Sequence, residues 1–287
     1  SLLYGESHGH YGFSRCKSAG EPCFNWRYRE NKGMDAGRLL CAGALTHRER
    51  TAFMKWNVVT DSSCDLIPSD YRSDAIELSS VPFAISVGVR GYTDGEQLDI
   101  QEMLRDMEQE KTASYTSCPA PGAWLEQFGE ADRTIAITIS SQLSGSMNSA
   151  LTARDLALEA DPDKKIAVLD SRSTGPELVL CVREIERLAR EGIGFDEAVD
   201  RVNAFLDKTK VIFALSSFDN LIKNGRMHKM AGFLAKALGM WGIGSASDEG
   251  RIVVEGKTRG PKRTVRALIE CMRERGFSGG NVAISHC

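Results

Sequence analysis

Thr134-Ile135-Ala136-Ile137-Thr138-Ile139 runs directly into Ser140-Ser141-Gln142-Leu143-Ser144-Gly145-Ser146, and a helical pattern over 147–159 follows. The first six residues are apolar and β-branched, the mark of a buried strand. The serine-rich link sits where a strand hands over to a helix. Loops there present backbone N–H groups and the positive end of the helix dipole. Four hydroxyls in seven residues add neutral donors, a combination that suits a carboxylate or a phosphate. Gly145 would permit close backbone approach. The same seven residues also read as an ordinary serine-rich helix cap.

The rhythm of strand, loop and helix extends in both directions. Upstream, 56–60 reads as a strand ending in Asp61-Ser62-Ser63, and 81–89 as a second extended run closed by Thr93-Asp94-Gly95. Asp99 can cap a helix whose apolar face is Ile100, Met103, Leu104 and Met107. Downstream, 165–169 reads as a strand closed by Asp170-Ser171. Residues 177–190 read as an amphipathic helix with Leu180, Ile185 and Leu188 inward, and 196–206 as a further helix. Such alternation predicts a parallel α/β sheet. Beyond about residue 208 the pattern changes: strands over 211–215, 251–255 and 282–285, helices over 218–222, 227–238 and 263–275. The expected fold class is therefore α/β, with a parallel-sheet domain over 54–208 and a smaller α+β domain over 209–287. Residues 1–53 show no sustained period and read as a leader, disordered or an artefact of the gene model. A chain ending on a strand at Cys287 reads as truncated at its C-terminus.

Composition narrows the function. The chain has 287 residues, 42% hydrophobic and 26% charged, with net charge -3, ordinary values for a globular protein. Residues 1–54 hold eight Lys/Arg against five Asp/Glu, so they carry +3 and the rest carries -6. That distribution gives no electrostatic footprint for nucleic acid. No apolar run reaches the roughly 20 residues of a membrane-spanning helix, and Ser1 to His10 is no secretory signal. The eight cysteines lack paired spacing and read as reduced cytoplasmic thiols. The leader holds His8, His10, Cys16, Cys23, Cys41 and His47 but no tight Cys-x-x-Cys, so no metal site is expected.

Two more hydroxyl-rich loops accompany 140–146. Tyr115-Thr116-Ser117-Cys118-Pro119 places Thr116 and Ser117 where they cap a helix or donate to a ligand. Asp61-Ser62-Ser63-Cys64-Asp65 follows the first strand. Their shared address would be the carboxyl edge of the sheet, where such folds bind ligands. Asn224-Gly225 is a helix stop, and Arg226 reads either as a partner for an acidic head group or as a surface arginine.

Taken in order, Asp61-Ser62-Ser63-Cys64-Asp65-Leu66, Val81-Pro82, Tyr92-Thr93-Asp94-Gly95, Thr116-Ser117-Cys118-Pro119, Ser140 to Ser146, Asp170-Ser171, Asn224-Gly225-Arg226 and Lys257-Thr258-Arg259-Gly260 resemble the DegV family. The resemblance runs from about Met54 to the end. It implies a two-domain α/β protein that buries a long-chain fatty acid such as palmitate between its domains. It implies that Thr116 and Ser144 hold the carboxylate, with Ser117, Ser141, Ser146, Gly145 and Arg226 around it. It further implies a fatty acid kinase subunit as partner, which phosphorylates the carboxyl group for phospholipid metabolism. The carrier itself does no chemistry and needs no cofactor, and the reading leaves room for peripheral membrane contact.

A buried carboxylate needs donors to offset desolvation, which hydroxyls and backbone N–H groups supply. Met230, Phe233, Leu234, Leu238, Met240 and Trp241 would then line an acyl tunnel or form ordinary core. Three departures stand out: Cys118 for the usual glutamine, Ser146 for the usual threonine, and Trp241-Gly242 for a common lysine-proline pair. The family's late His-x-Gly-Pro-Gly-like loop is absent from the sequence. Three rival readings stand beside the carrier reading. A serine hydrolase would use Ser144 or Ser141, but neither lies in Gly-x-Ser-x-Gly and no base is recognisable. A ligand-free regulatory module would lack an apolar cavity. A phosphotransferase lacks the Gly-x-x-x-x-Gly-Lys-Ser/Thr loop.

Overall fold

The parallel sheet is built from four strands in the order β2-β1-β6-β7: β1 (Trp56–Asp61), β2 (Ile76–Val81), β6 (Arg133–Thr138) and β7 (Lys165–Asp170). In this computed structural model, residues 55–110, 112–227 and 240–286 are described. The leader at 1–53 and most of the expected helix over 227–238 lie outside them.

Alternating side chains send the sheet's two faces to two cores. Val58, Ile135 and Ile137 pack with Leu178, Val182, Ile185 and Leu188 of α4 (Pro176–Arg190) and with Ala198, Val202 and Leu206 of α5 (Phe195–Leu206). Leu180 stands off that inner face, only partly buried. Val59, Val81 and Ala136 point the other way, against Trp124 and Phe128 of α2 (Pro121–Phe128) and Ala150, Ala153 and Ala157 of α3 (Ser146–Ala160). The alanine stripe lets α3 lie close to the sheet. Each fully buried large side chain contributes about 1.5–3 kcal/mol.

The strand order decides where a site can form. β1 is joined to β2 on one side and to β6 on the other, so the connections leave β1 and β6 in opposite directions. A crevice opens beyond the carboxyl ends of such a pair. The loops at that crevice are Asp61–Cys64 and Ser140–Ser146.

A second, antiparallel sheet has the order β4-β3-β5: β3 (Ala84–Val87), β4 (Arg90–Thr93) and β5 (Tyr115–Ser117). Helix α1 (Ile100–Gln109) covers it, with Met103 fully buried against Ile85 and Val87. Asp99 caps α1 as expected, accepting from the Glu102 N–H at 3.0 Å. The single run expected over 81–89 is therefore two strands. Pro82 lacks the N–H a continued ladder needs, and the Phe83 N–H goes instead to Ser62 Oγ at 3.0 Å.

The third sheet is antiparallel, in the order β10-β9-β8: β8 (Ile212–Leu215), β9 (Met240–Ala246) and β10 (Ile252–Arg259). One face carries Phe213, Leu215, Ile252 and Val254, packed on Phe218, Leu221 and Met227 around α6 (Asp219–Lys223). The opposite face carries Ser245 and Glu255, joined to Arg275 just past α7 (Pro261–Glu274). Strand β9 was not expected from sequence, because Gly242 and Gly244 weaken its strand signal. The strand expected over 282–285 does not form: Val282 and Ile284 are exposed, and Ser285 Oγ donates to Asp65. Among the described residues no helix is long and apolar enough to cross a membrane.

Candidate functional site at the carboxyl edge of the parallel sheet

Asp61, the last residue of β1, is fully buried and organises the crevice. Its Oδ2 accepts from the Ile139 N–H at 2.9 Å and from Ser146 Oγ at 2.6 Å. Its Oδ1 accepts from the Ser63 N–H at 3.2 Å and Ser63 Oγ at 2.5 Å. One carboxylate thus ties the end of β1 to the end of β6 and to the first residue of α3. Burial pushes the Asp61 carboxyl above its ordinary range, opposed by these hydrogen bonds. The neighbouring Cys64 thiol is pushed up to about 12 by burial, which keeps it a protonated, unreactive core thiol.

The loop between β6 and α3 holds itself in shape. Ser140 Oγ accepts from the Gln142 N–H at 3.2 Å, and Ser144 Oγ from the Ser146 N–H at 3.2 Å. The Ser141 N–H donates to Asp170 Oδ1 at 3.1 Å. Gly145 has ordinary negative φ. A Cβ there would stand 3.1 Å from Cys118 Sγ. That places Cys118 beside the serine loop, where its Sγ reaches Ser149 Oγ at 4.0 Å.

The β9–β10 turn closes on the same loop. Ser140 Oγ donates to the Gly250 carbonyl at 2.7 Å, buried. Gly250 has φ +86°, and a Cβ would stand 2.8 Å from Arg172 Cα and 2.9 Å from its carbonyl oxygen. Only glycine fits this turn. Arg172 itself is a non-glycine residue at φ 53°, held by its N–H to Asp170 Oδ1 at 2.8 Å and by its guanidinium to Asp207 at 2.7 Å.

These elements enclose one apolar cavity. Its wall takes Ile85, Met103 and Met107 from the second sheet and its helix, Ile139 and Leu143 from the parallel sheet's edge, and Phe213 and Ile252 from the third sheet. The exposed wall is mainly apolar, and polar residues reach it too, among them Thr116, Arg172, Asn220, Asn224, Arg226 and Arg251. About 90 Å³ is open to a water-sized sphere, several times the roughly 10–15 Å³ one water needs. Arg226 bridges two walls: its Nε donates to the Leu143 carbonyl at 3.3 Å and its Nη1 to the Asn224 carbonyl at 2.6 Å. Asn224 Nδ2 donates to the Ser114 carbonyl at 3.0 Å. Its Oδ1 is buried with no hydrogen-bond partner among the described residues.

The sequence-derived residues fall into three groups. Thr116 and Arg226 line the cavity. Ser144 follows its wall residue Leu143 in the chain, Gly145 faces Cys118 Sγ, and Ser146 is turned to Asp61 rather than inward. Ser117 and Ser141 are exposed. Of the expected tunnel residues, Met240 and Trp241 lie in β9, partly buried, and Met230, Phe233, Leu234 and Leu238 lie outside the described residues. Sequence reading missed the hub role of Asp61, the Gly250 clasp and the Asn224 acceptor. An Asp-Ser-Ser directly after a strand was the available signal for the first.

An apolar cavity with a few convergent polar groups at a sheet's switch point defines a small-ligand binding protein. Residues 55–287 match the family model described as "Uncharacterised protein, DegV family". A DegV domain-containing protein of Streptococcus pyogenes serotype M1 is 40% identical over 233 residues, covering 81% of this chain and 83% of the relative. The chain belongs to the DegV family. Among solved structures it is similar to the Streptococcus pneumoniae Fatty Acid Kinase (Fak) B3 protein loaded with linoleic acid. That likeness has 36% identity and TM-score 0.75, over 79% of this chain and 81% of that one. A DegV family protein from Eubacterium eligens loaded with heptadecanoic acid is 37% identical with TM-score 0.74, over 78% and 80%.

Proposed function

We propose that this chain binds a long-chain fatty acid and presents its carboxylate to a partner kinase, which forms the acyl phosphate. The observation that carries this is the cavity itself. Its exposed wall is mainly apolar, and its polar residues include Thr116 and Arg226. A long alkyl chain gains about 0.8 kcal/mol for each methylene buried there. A carboxylate at the loop end would take hydrogen bonds from Thr116 and Ser144, each worth about 1.5–3 kcal/mol to a charged group. Arg226 supplies positive charge at the same end. Gly145 permits the approach of the two loops, and Ser146 acts through Asp61. Ser117 and Ser141 sit outward, where a docking kinase would meet them. Relatives at 36–37% identity hold linoleic and heptadecanoic acid, which supports the same ligand class here.

In this reading the chain is a carrier and the bound acid is its cargo rather than a cofactor. The setting is cytoplasmic, in keeping with Cys64, Cys118, Cys181 and Cys271 being free, and the acid reaches the protein by peripheral membrane contact. Denaturing solvent extraction of the purified protein followed by mass spectrometry tests the claim. A stoichiometric C14–C18 acid, lost in the Thr116→Ala/Ser144→Ala double variant, is the expected result. A folded, lipid-free protein that refuses palmitate and oleate would sink it. Labelling of Ser144 by a fluorophosphonate would favour a hydrolase instead.

A further inference from the structure

Strand β9 reads Met240-Trp241-Gly242-Ile243-Gly244-Ser245-Ala246. In a strand, alternate residues share a face. Gly244 is paired with Phe213 of β8 on one side and with Val254 of β10 on the other. These three therefore form one row across the sheet, on the face that carries Leu215 and Ile252 and looks into the cavity. Ile243 and Ser245 point to the opposite face, where Ser245 Oγ donates to Glu255.

The row has a gap in the middle, and Phe213 fills it. A Cβ built on Gly244 would stand 2.5 Å from both Cε2 and Cζ of Phe213 and 3.2 Å from the Val253 carbonyl oxygen. Nonbonded carbons settle at about 3.5–4.0 Å. The end of the Phe213 ring therefore lies directly over the glycine, in the volume any other residue's side chain would take. The ring is tilted 43° to Phe218 at 6.3 Å, which backs it from its own strand's end. The same ring lines the cavity.

A side chain at 244 must displace the ring by about 1 Å or more, and because Phe213 lines the cavity its displacement alters the cavity wall. The two nearest obstructing atoms are the far end of a side chain, so the change displaces Phe213 first, and the Val253 carbonyl oxygen has only a few tenths of an ångström to give. We propose that the Phe213–Gly244 pair sets the calibre of the acyl channel, and with it the shape of acyl chain the protein accepts. With the ring flat on Gly244 the channel passes a cis-unsaturated, kinked chain. With the ring raised it passes straight, saturated chains preferentially. This inference rests on the fatty-acid reading above.

The test compares wild type, Gly244→Ala, Phe213→Ala and the double variant, each offered an equimolar mixture of palmitate, oleate and linoleate, with bound acid quantified by mass spectrometry. Gly244→Ala lowers the bound oleate-to-palmitate ratio about tenfold, the scale on which an apolar pocket discriminates small changes of shape. Phe213→Ala raises that ratio. The double variant behaves as Phe213→Ala, because no ring remains to be displaced; the readout is the ratio among the acids bound rather than the amount bound, and a loss of stability alone does not shift that ratio. Wild type that binds fatty acid while both single variants keep its ratio overturns this inference and leaves the carrier reading intact. Wild type that binds none of the three acids overturns both.

Discussion

Asp61 lies behind the cavity-lining Ile139 and Gly244 lies beneath the cavity-lining Phe213, and the two are held by different physics. Around Asp61 four hydrogen bonds converge on one buried carboxylate, from Ile139, Ser146 and Ser63. Around Gly244 there is only a ring laid on a bare backbone. The polar wall is over-determined, since each donor has one place to go and losing it leaves an orphan in a dry site. The apolar wall is adjustable, since dispersion contacts have no fixed direction. A carrier needs both properties. The end that positions a reacting carboxylate must be rigid, whereas the wall along the chain decides which tails fit.

If this contrast holds, damage at the polar wall falls on stability. Asp61→Ala strands the Ser146 and Ser63 hydroxyls and two backbone N–H groups, and is expected to cost about 3–5 kcal/mol in urea-induced unfolding. A loss under about 1 kcal/mol would break the comparison. Gly250→Ala comes next. It forces a Cβ onto the Arg172 backbone at a φ of +86° and severs the Ser140–Gly250 clasp, for an expected loss of about 2–3 kcal/mol. Gly244→Ala, by contrast, should cost about 1 kcal/mol in the same unfolding experiment, the low end for overpacking, because the far end of Phe213 gives way.

The contrast also explains what could be read from sequence. The segment 134–159 announced itself because strand period, serine loop and helix start agree locally, and the structure places β6 and α3 there. The Asp99 cap was legible for the same reason. Strand β2 was not, since Ile76–Val81 mixes Glu77 and two serines into a short run and is stabilised by its parallel neighbour β1. Strand β5 has three residues and exists only through its pairing with β3. Thr116 and Arg226 were readable as candidates because hydroxyl and guanidinium chemistry is visible in the letters. Gly250 and Gly244 were not: what makes each necessary is an atom from a distant segment, Arg172 in one case and Phe213 in the other.

The smallest expected effect concerns Glu177, in the first turn of α4, buried beside Arg172 and accepting from Thr209 Oγ1. Burial holds its carboxyl above the ordinary value of 4.5. The folded protein therefore keeps that proton more tightly than the unfolded chain does. The stability this protonation confers is complete below about 4.5, the unfolded value, and is lost as pH rises through the folded value. Glu177→Gln keeps the shape and an acceptor for Thr209 but carries no charge at any pH. Relative to wild type, the glutamine variant should thus gain stability between weakly acidic and neutral pH and gain nothing below the ordinary carboxylate range. Paired urea titrations across that interval measure the difference. A difference that is flat with pH, or of opposite slope, would mean that Thr209 and the nearby Arg172 and Lys210 stabilise the carboxylate more than burial disfavours it. The polar wall would then extend its full satisfaction of charge beyond Asp61 to this second buried acid.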